Sequence, residues 1–299
     1  MSTAEATPEA ALDPEPLAAP GPRWSKVLGW LLLAVVVASL AWAGIWRLNG
    51  GHWERVETAS MGTSAPVGTL LWVEPTNFSD LKVGDFITFR PPGQPNVTYS
   101  HRVYTVNADN TISTKGEIAA PDPWRLHASD VVGRVDMRWW GVGWLVKAAP
   151  VLLIGAIVLR LLVWRLRTPR WKLPVSIVGA SLLLAMAVVI YQPLTRAQQL
   201  AFVGEAGGAR ATYISTGLLP LRLEAVNGGH ADLRAGQIGS ILSTHADAHG
   251  KYPISLKPHF PFWWWVVLVL ACFLPAFWTL AFGLPPERLP KHRAAGAEA

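Results

Sequence analysis

The chain has 299 residues, 51% of them hydrophobic and only 15% charged, with 16 tryptophans. That balance excludes an ordinary soluble globular protein and points to one organised around apolar membrane runs. The net charge of +6 does not indicate a nucleic-acid partner, because the basic residues crowd the ends of apolar runs and no recognition motif accompanies them.

Residues 1–22 are rich in Ala, Pro and Glu without apolar periodicity, and read as a disordered cytoplasmic tail. Arg23 and Lys26 then precede Val27–Trp46, a run of 20 residues without a charge, enough for a first transmembrane helix over 27–46. Ala41-Trp42-Ala43 also fits the small-x-small pattern of a cleaved signal peptide. The length of the run and the placement of Trp42 and Trp46 favour an uncleaved anchor.

Residues 48–138 read as a β-rich block. Short alternating or β-branched runs recur at Thr69–Val73, Phe86–Phe89, His101–Val106, Thr111–Thr114 and Val131–Val135, separated by Gly, Pro, Asn and Asp turn signals. Asn107-Ala108-Asp109-Asn110 predicts a hairpin. No stretch has room for a βαβ crossover, so an antiparallel or barrel-like sheet is expected. Trp53, Trp139, Trp140 and Trp144 flank the block and are expected to act as interfacial anchors.

A second span is predicted over 143–164, with Lys147 and Arg160 near its ends, and a third over 173–191. Between them lies a basic loop carrying Arg165, Arg167, Arg170 and Lys172. A second β-rich segment covers 196–259, with a strand at Leu221–Val226 and a turn at Asn227-Gly228-Gly229. The fourth span, 262–284, holds the single Cys272, so no intrachain disulfide forms; residues 285–299 are a basic cytoplasmic tail. His245, Asp247, His249 and the nearby His230 raise the question of a metal, but the surrounding residues read as loop and no metal is assigned. The positive-inside rule puts both basic segments in the cytoplasm and both β-rich blocks outside, as in a multi-pass protein of a prokaryotic plasma membrane.

Chemistry-bearing residues concentrate in the first block. Thr58-Ala59-Ser60-Met61 is followed by Pro66-Val67-Gly68-Thr69-Leu70-Leu71 and then by Leu81-Lys82-Val83-Gly84-Asp85-Phe86-Ile87-Thr88-Phe89-Arg90. His101-Arg102-Val103, Thr114-Lys115-Gly116-Glu117 and Asp130-Val131-Val132-Gly133-Arg134-Val135 complete the run. In this order the segments, over about 55–137, resemble the signal peptidase I family, in its archaeal and endoplasmic-reticulum branch that uses Ser–His where the common bacterial branch uses Ser–Lys.

The resemblance implies a mainly-β, signal-peptidase-like antiparallel catalytic domain carried on α-helical spans. It implies Ser60 as nucleophile and His101 as its base, since a serine hydroxyl attacks only once a base removes its proton and a carboxylate orients that base. Lys115 lies too far downstream to stand in for the Ser–Lys base. The branch shows Lys-Gly-Asp with asparagines and a further aspartate, whereas this chain reads Lys115-Gly116-Glu117-Ile118-Ala119-Ala120-Pro121-Asp122. Asp122 is therefore the first choice to orient His101, with Glu117 as the other. Thr58 keeps the hydroxyl that supports the oxyanion hole in the family. Asp85 and Arg102 also match family positions, where a strand-end salt bridge explains them as well as catalysis.

The implied activity is a serine endopeptidase that removes signal peptides from secreted or membrane preproteins, without metal or organic cofactor. Its partners would be those preproteins, the lipid bilayer and a secretion translocon, with no nucleic acid. Two alternatives stand beside it: a catalytically inactive membrane binding or assembly protein of the same fold, and a peptidase dedicated to a narrow set of surface subunits.

Overall fold

The computed structural model describes residues 23–226 and 229–282. The tails expected over 1–22 and 285–299, the last residues of the fourth span, and Asn227 and Gly228 of the expected turn lie outside the described residues. Those described form mainly antiparallel β-sheets with a few helices.

The first helix, α1 (Arg23–Leu48), leads into a six-stranded sheet built from β1 (His52–Arg55), β2 (Leu70–Glu74), β3 (Phe86–Phe89), β4 (Tyr99–Val106), β5 (Ile112–Lys115) and β6 (Val131–Trp139). The strand order is β1-β2-β6-β3-β4-β5, and every neighbouring pair is antiparallel. β3 is buried along its whole length. Its alternate residues serve two cores: Phe86 packs with Val56, Met61, Leu71 and Val73, while Ile87 and Phe89 pack with Leu81, Val103, Ile112 and Leu126. That double burial explains why Phe-Ile-Thr-Phe reads as a nearly continuous apolar run. β4 and β5 are joined by the hairpin expected at 107–110, closed by the Asn107 amide donating to the Thr111 carbonyl (2.8 Å), with Asn110 in the left-handed region (φ 58°) that asparagine tolerates.

Two helical stretches, Val142–Arg165 and Pro169–Tyr191, are long and apolar enough to cross a membrane. They contain α2 (Val142–Arg165) and α3 (Lys172–Tyr191). Only 6% of the most apolar window of each is buried inside the protein, so neither is the core helix of a soluble domain. The apolar stretches Leu33–Leu48 of α1 and Phe262–Phe277 of α4 (Phe262–Phe282) are shorter. α2 and α3 meet closely where Gly155 faces Leu183 and Gly179 faces Leu159, as small residues allow between apolar helices.

Residues between α3 and α4 form two three-stranded antiparallel sheets. One joins β7 (Ala197–Glu205), β8 (Gly208–Ser215) and β11 (Ile238–Ser243); the other joins β9 (Leu221–Ala225), β10 (His230–Leu233) and β12 (Ile254–Pro258). Ala211, Leu221, Leu223, Leu233 and Ile241 make their shared core. Across the second sheet Arg222 forks onto Asp232, and Lys257 pairs with Glu224.

Of the tryptophans expected as interfacial anchors, Trp139 and Trp140 are exposed, Trp53 is half-buried and Trp144 is buried. Trp72 is only 4% exposed and is surrounded by Trp42 (4.7 Å between ring centroids), Trp46 (4.8 Å), Trp53 (5.5 Å) and Trp139 (5.1 Å). This cluster clamps α1 to the sheet. Indole rings bury large areas, so stacking them on one another competes well with resting them at a lipid surface.

Candidate active site

Ser60 sits on a tight turn whose first carbonyl, that of Ala59, accepts the Gly62 amide (2.9 Å), followed by Ser64 N–H to the Met61 carbonyl (3.1 Å). The turn is held by its own apolar side chains: Met61 and Ala65 are fully buried in the core beneath β2 and β3. Burying Met61 leaves the preceding residue half-exposed at the rim, which is where the Ser60 hydroxyl lies.

His101 is on β4, directly opposite Ile87 of β3. Period-two alternation puts its ring on the same face as the buried Val103, and the ring is 5% exposed. The rings of Phe89 (6.1 Å) and Tyr99 (5.9 Å) stand edge-on to the imidazole and fix its plane. Its Nε2 lies 2.9 Å from Ser60 Oγ.

After β5 the chain turns back through 116–121, and the Asp122 amide donates to the Thr114 carbonyl (2.8 Å). That return brings the Asp122 carboxylate, largely buried, to 2.7 Å from His101 Nδ1. The same oxygen accepts the Thr114 hydroxyl at 2.7 Å. The loop is also tied to the serine turn, because the Ile118 amide donates to the Ser60 carbonyl (3.1 Å). Gly116 lies where the two segments touch. A Cβ there would stand 2.9 Å from the Ser60 carbonyl oxygen and 3.3 Å from His101 Nε2, so only glycine fits without displacing them.

The structure therefore brings Ser60, His101 and Asp122 into one hydrogen-bonded chain, and Thr58 joins its edge with its hydroxyl 3.3 Å from Ser60 Oγ. Among the described residues no backbone carbonyl engages the Ser60 amide, which leaves that donor available. Glu117 lies outside the chain: its carboxylate accepts Arg102 Nε (3.0 Å) and the Ser64 hydroxyl (2.5 Å). The strand-end salt bridge considered for Asp85 and Arg102 does not form. Asp85 instead accepts the Lys82 amide (2.8 Å), and Arg102 reaches Glu117 and the Gly84 carbonyl. Lys115 points to the ring of Tyr104, 5.6 Å away.

Thr114 and Ser64 were not singled out as site residues in the sequence. Thr114 stands inside the Thr-Lys-Gly-Glu segment, where its position two residues before Gly116 is the available signal. Ser64 has none, since its partner is 53 residues away.

Among the described residues no group of three His, Cys, Asp or Glu side chains could hold a metal ion. Asp247, between His245 and His249, spends its carboxylate on the His249 and Lys251 amides (both 2.8 Å), an Asx-type turn. In comparisons with known proteins, the chain matches no family model and no curated sequence.

Proposed function

We propose that the chain is a membrane-bound serine endopeptidase that cleaves signal peptides from exported preproteins. The observation that carries this reading is the Ser60–His101–Asp122 chain at 2.9 and 2.7 Å. The resemblance of 55–137 to the Ser–His signal peptidases supplies the substrate class.

In the proposed reaction His101 donates its Nδ1–H to Asp122, which leaves Nε2 free to accept the Ser60 proton. Ser60 Oγ attacks the scissile carbonyl, and the negative oxygen is met by the Ser60 amide and the Thr58 hydroxyl. The imidazolium, stabilised by Asp122, then protonates the leaving amine, and an acyl-enzyme remains on Ser60. Water, deprotonated by His101, attacks the ester and releases the signal peptide with a new carboxylate. The Thr114 hydroxyl holds the Asp122 carboxylate in line.

The site belongs on the outer face in this reading, because the basic residues between α2 and α3 and in the C-terminal tail assign those segments to the cytoplasm. Small side chains just before the cut are expected, as the resemblance implies.

One contact favours the narrower form, a peptidase for a few surface subunits. Gly236, before β11, packs so tightly on the backbone of Gly62 that a Cβ would overlap its carbonyl. The second β block thus abuts the turn that carries the nucleophile.

The test is cleavage of a panel of model preproteins by the purified chain in detergent, with Ser60→Ala and His101→Ala as comparisons. Cutting after a small residue by the wild type alone supports the proposal, and cutting confined to one class of preprotein selects the narrow form. Equal cutting by the wild type and both variants, or by none of them, overturns it.

A further inference from the structure

A cleft of about 1230 Å³ lies apart from Ser60, His101 and Asp122. It opens between the two β blocks, where β6 runs into α2 and where α4 begins. Its walls include Arg138 and Trp140 from the first block, Arg234 and His259 from the second, and Trp263 and Trp264 at the head of α4.

The charge of this cleft is unbalanced. Among the described residues neither Arg138 nor Arg234 has a carboxylate within ion-pair distance. The cleft's one acidic wall residue, Asp232, is already committed: Arg222 grips it through two hydrogen bonds of 2.5 and 2.7 Å. Two guanidiniums without a carboxylate partner therefore face a space also walled by the exposed Trp140 and Trp263 and the half-buried Trp264. Guanidinium forks suit a phosphodiester, and tryptophan suits the level of a membrane where headgroups meet acyl chains. The same first turns of α4 that supply Trp263 and Trp264 also expose Phe262, Trp265 and Val266. The volume exceeds what a free phosphate needs and is ample for a glycerophosphate headgroup.

We infer that this cleft is a binding site for an anionic glycerophospholipid, its phosphodiester held by Arg138 and Arg234 and its glycerol end resting on Trp140, Trp263 and Trp264. The inference rests on the membrane placement of the helices in the proposed function and is independent of the peptidase chemistry. Arg138 also donates to the Ser64 carbonyl (3.0 Å), so the site borders the turn that carries Ser60.

The experiment is native mass spectrometry of the full chain in a neutral detergent, titrated separately with phosphatidylglycerol and phosphatidylcholine. Two basic side chains near the headgroup predict about a thirtyfold preference for phosphatidylglycerol. Arg234→Gln, which disturbs no other described contact of that side chain, should reduce the preference, and Arg138→Gln/Arg234→Gln should abolish it, with Arg138→Lys/Arg234→Lys restoring most of it. Equal retention of the two lipids by the wild type, or an undiminished preference in the double Gln variant, overturns the inference. So does arginine-dependent binding of glycerol phosphate at the same concentration, which would assign the cleft to a soluble ligand. Displacement of the lipid by a signal-sequence peptide would assign it to polypeptide. Resistance of the chain to alkaline extraction from membranes is measured alongside. Loss of that resistance removes the membrane reading itself, whereas retained resistance without headgroup preference removes only the lipid site.

Discussion

Alanine at position 116 probes how closely the Ser60–His101 pair is held. The new methyl would lie 2.9 Å from the Ser60 carbonyl oxygen, 3.2 Å from Ser60 Cβ and 3.3 Å from His101 Nε2. The first of these is a backbone atom tied down by the Ile118 amide, so it cannot yield as the tip of a long side chain would. Restoring ordinary contact requires the serine turn to retreat by about 0.5 Å, and a misplacement of about 1 Å at a reacting group costs on the order of 10²-fold in rate. Gly116→Ala should therefore lower kcat about ten- to a hundredfold with little change in KM. Overpacking of this kind should also cost about 1–3 kcal/mol of stability. Gly204→Ala serves as the control, because a Cβ there meets nothing within 4 Å. The assay is preprotein cleavage in detergent over a range of substrate concentrations, with tryptophan-monitored thermal unfolding of each variant. A Gly116→Ala enzyme with kcat within about twofold of the wild type would refute the close coupling of Ser60, His101 and the 116–121 loop, since an effect of that size falls below the loss expected from misplacement.

Further outcomes follow from the same geometry. Asp122→Asn should cost about 10⁴-fold in kcat, because the amide favours the wrong imidazole tautomer, while Glu117→Gln should cost far less; parallel cleavage assays separate the two carboxylates. Thr58→Val should lower kcat about 10²- to 10³-fold if its hydroxyl meets the oxyanion, with KM unchanged in the same assay. In the second β block the Arg222 hydrogen bonds hold Asp232 below the ordinary aspartate value of 3.8, with burial opposing and His259 assisting. A lowered folded-state value means stability that is fully present above pH 3.8 and is lost as pH falls through the depressed value. Arg222→Met should flatten that acid limb in unfolding curves recorded between neutral and acidic pH.

The parts of the site that were legible in the sequence are those fixed by local order. Ser60 and His101 stand out through the family resemblance of the ordered segments over 55–137 rather than through either residue alone, and the structure adds that Met61 plugs the core directly after the exposed Ser60 hydroxyl. Asp122 is the first choice over Glu117 because the chain departs from the Lys-Gly-Asp pattern of the family it resembles, and its approach to His101 depends on the backbone return that pairs its amide with Thr114. The role of Gly116 was not legible, since close approach between loops leaves no periodic trace. β1 was missed because His-Trp-Glu-Arg carries no clear alternation, and its strand state is imposed by pairing with β2. In the second block only β9 shows clean alternation, with Leu221, Leu223 and Ala225 inward. β7 exposes nearly every residue, so its sequence carries no burial pattern to read.

The central claim is that Ser60 carries the acyl group, and trapping that ester tests it most directly. Wild-type chain mixed with a model preprotein, quenched in acid within the first turnover and digested for mass spectrometry, should show the signal-peptide fragment attached to the Ser60 peptide. The adduct should disappear in Ser60→Ala and fail to form in His101→Ala. An adduct on another residue, or cleavage by Ser60→Ala at the wild-type rate, would contradict the account.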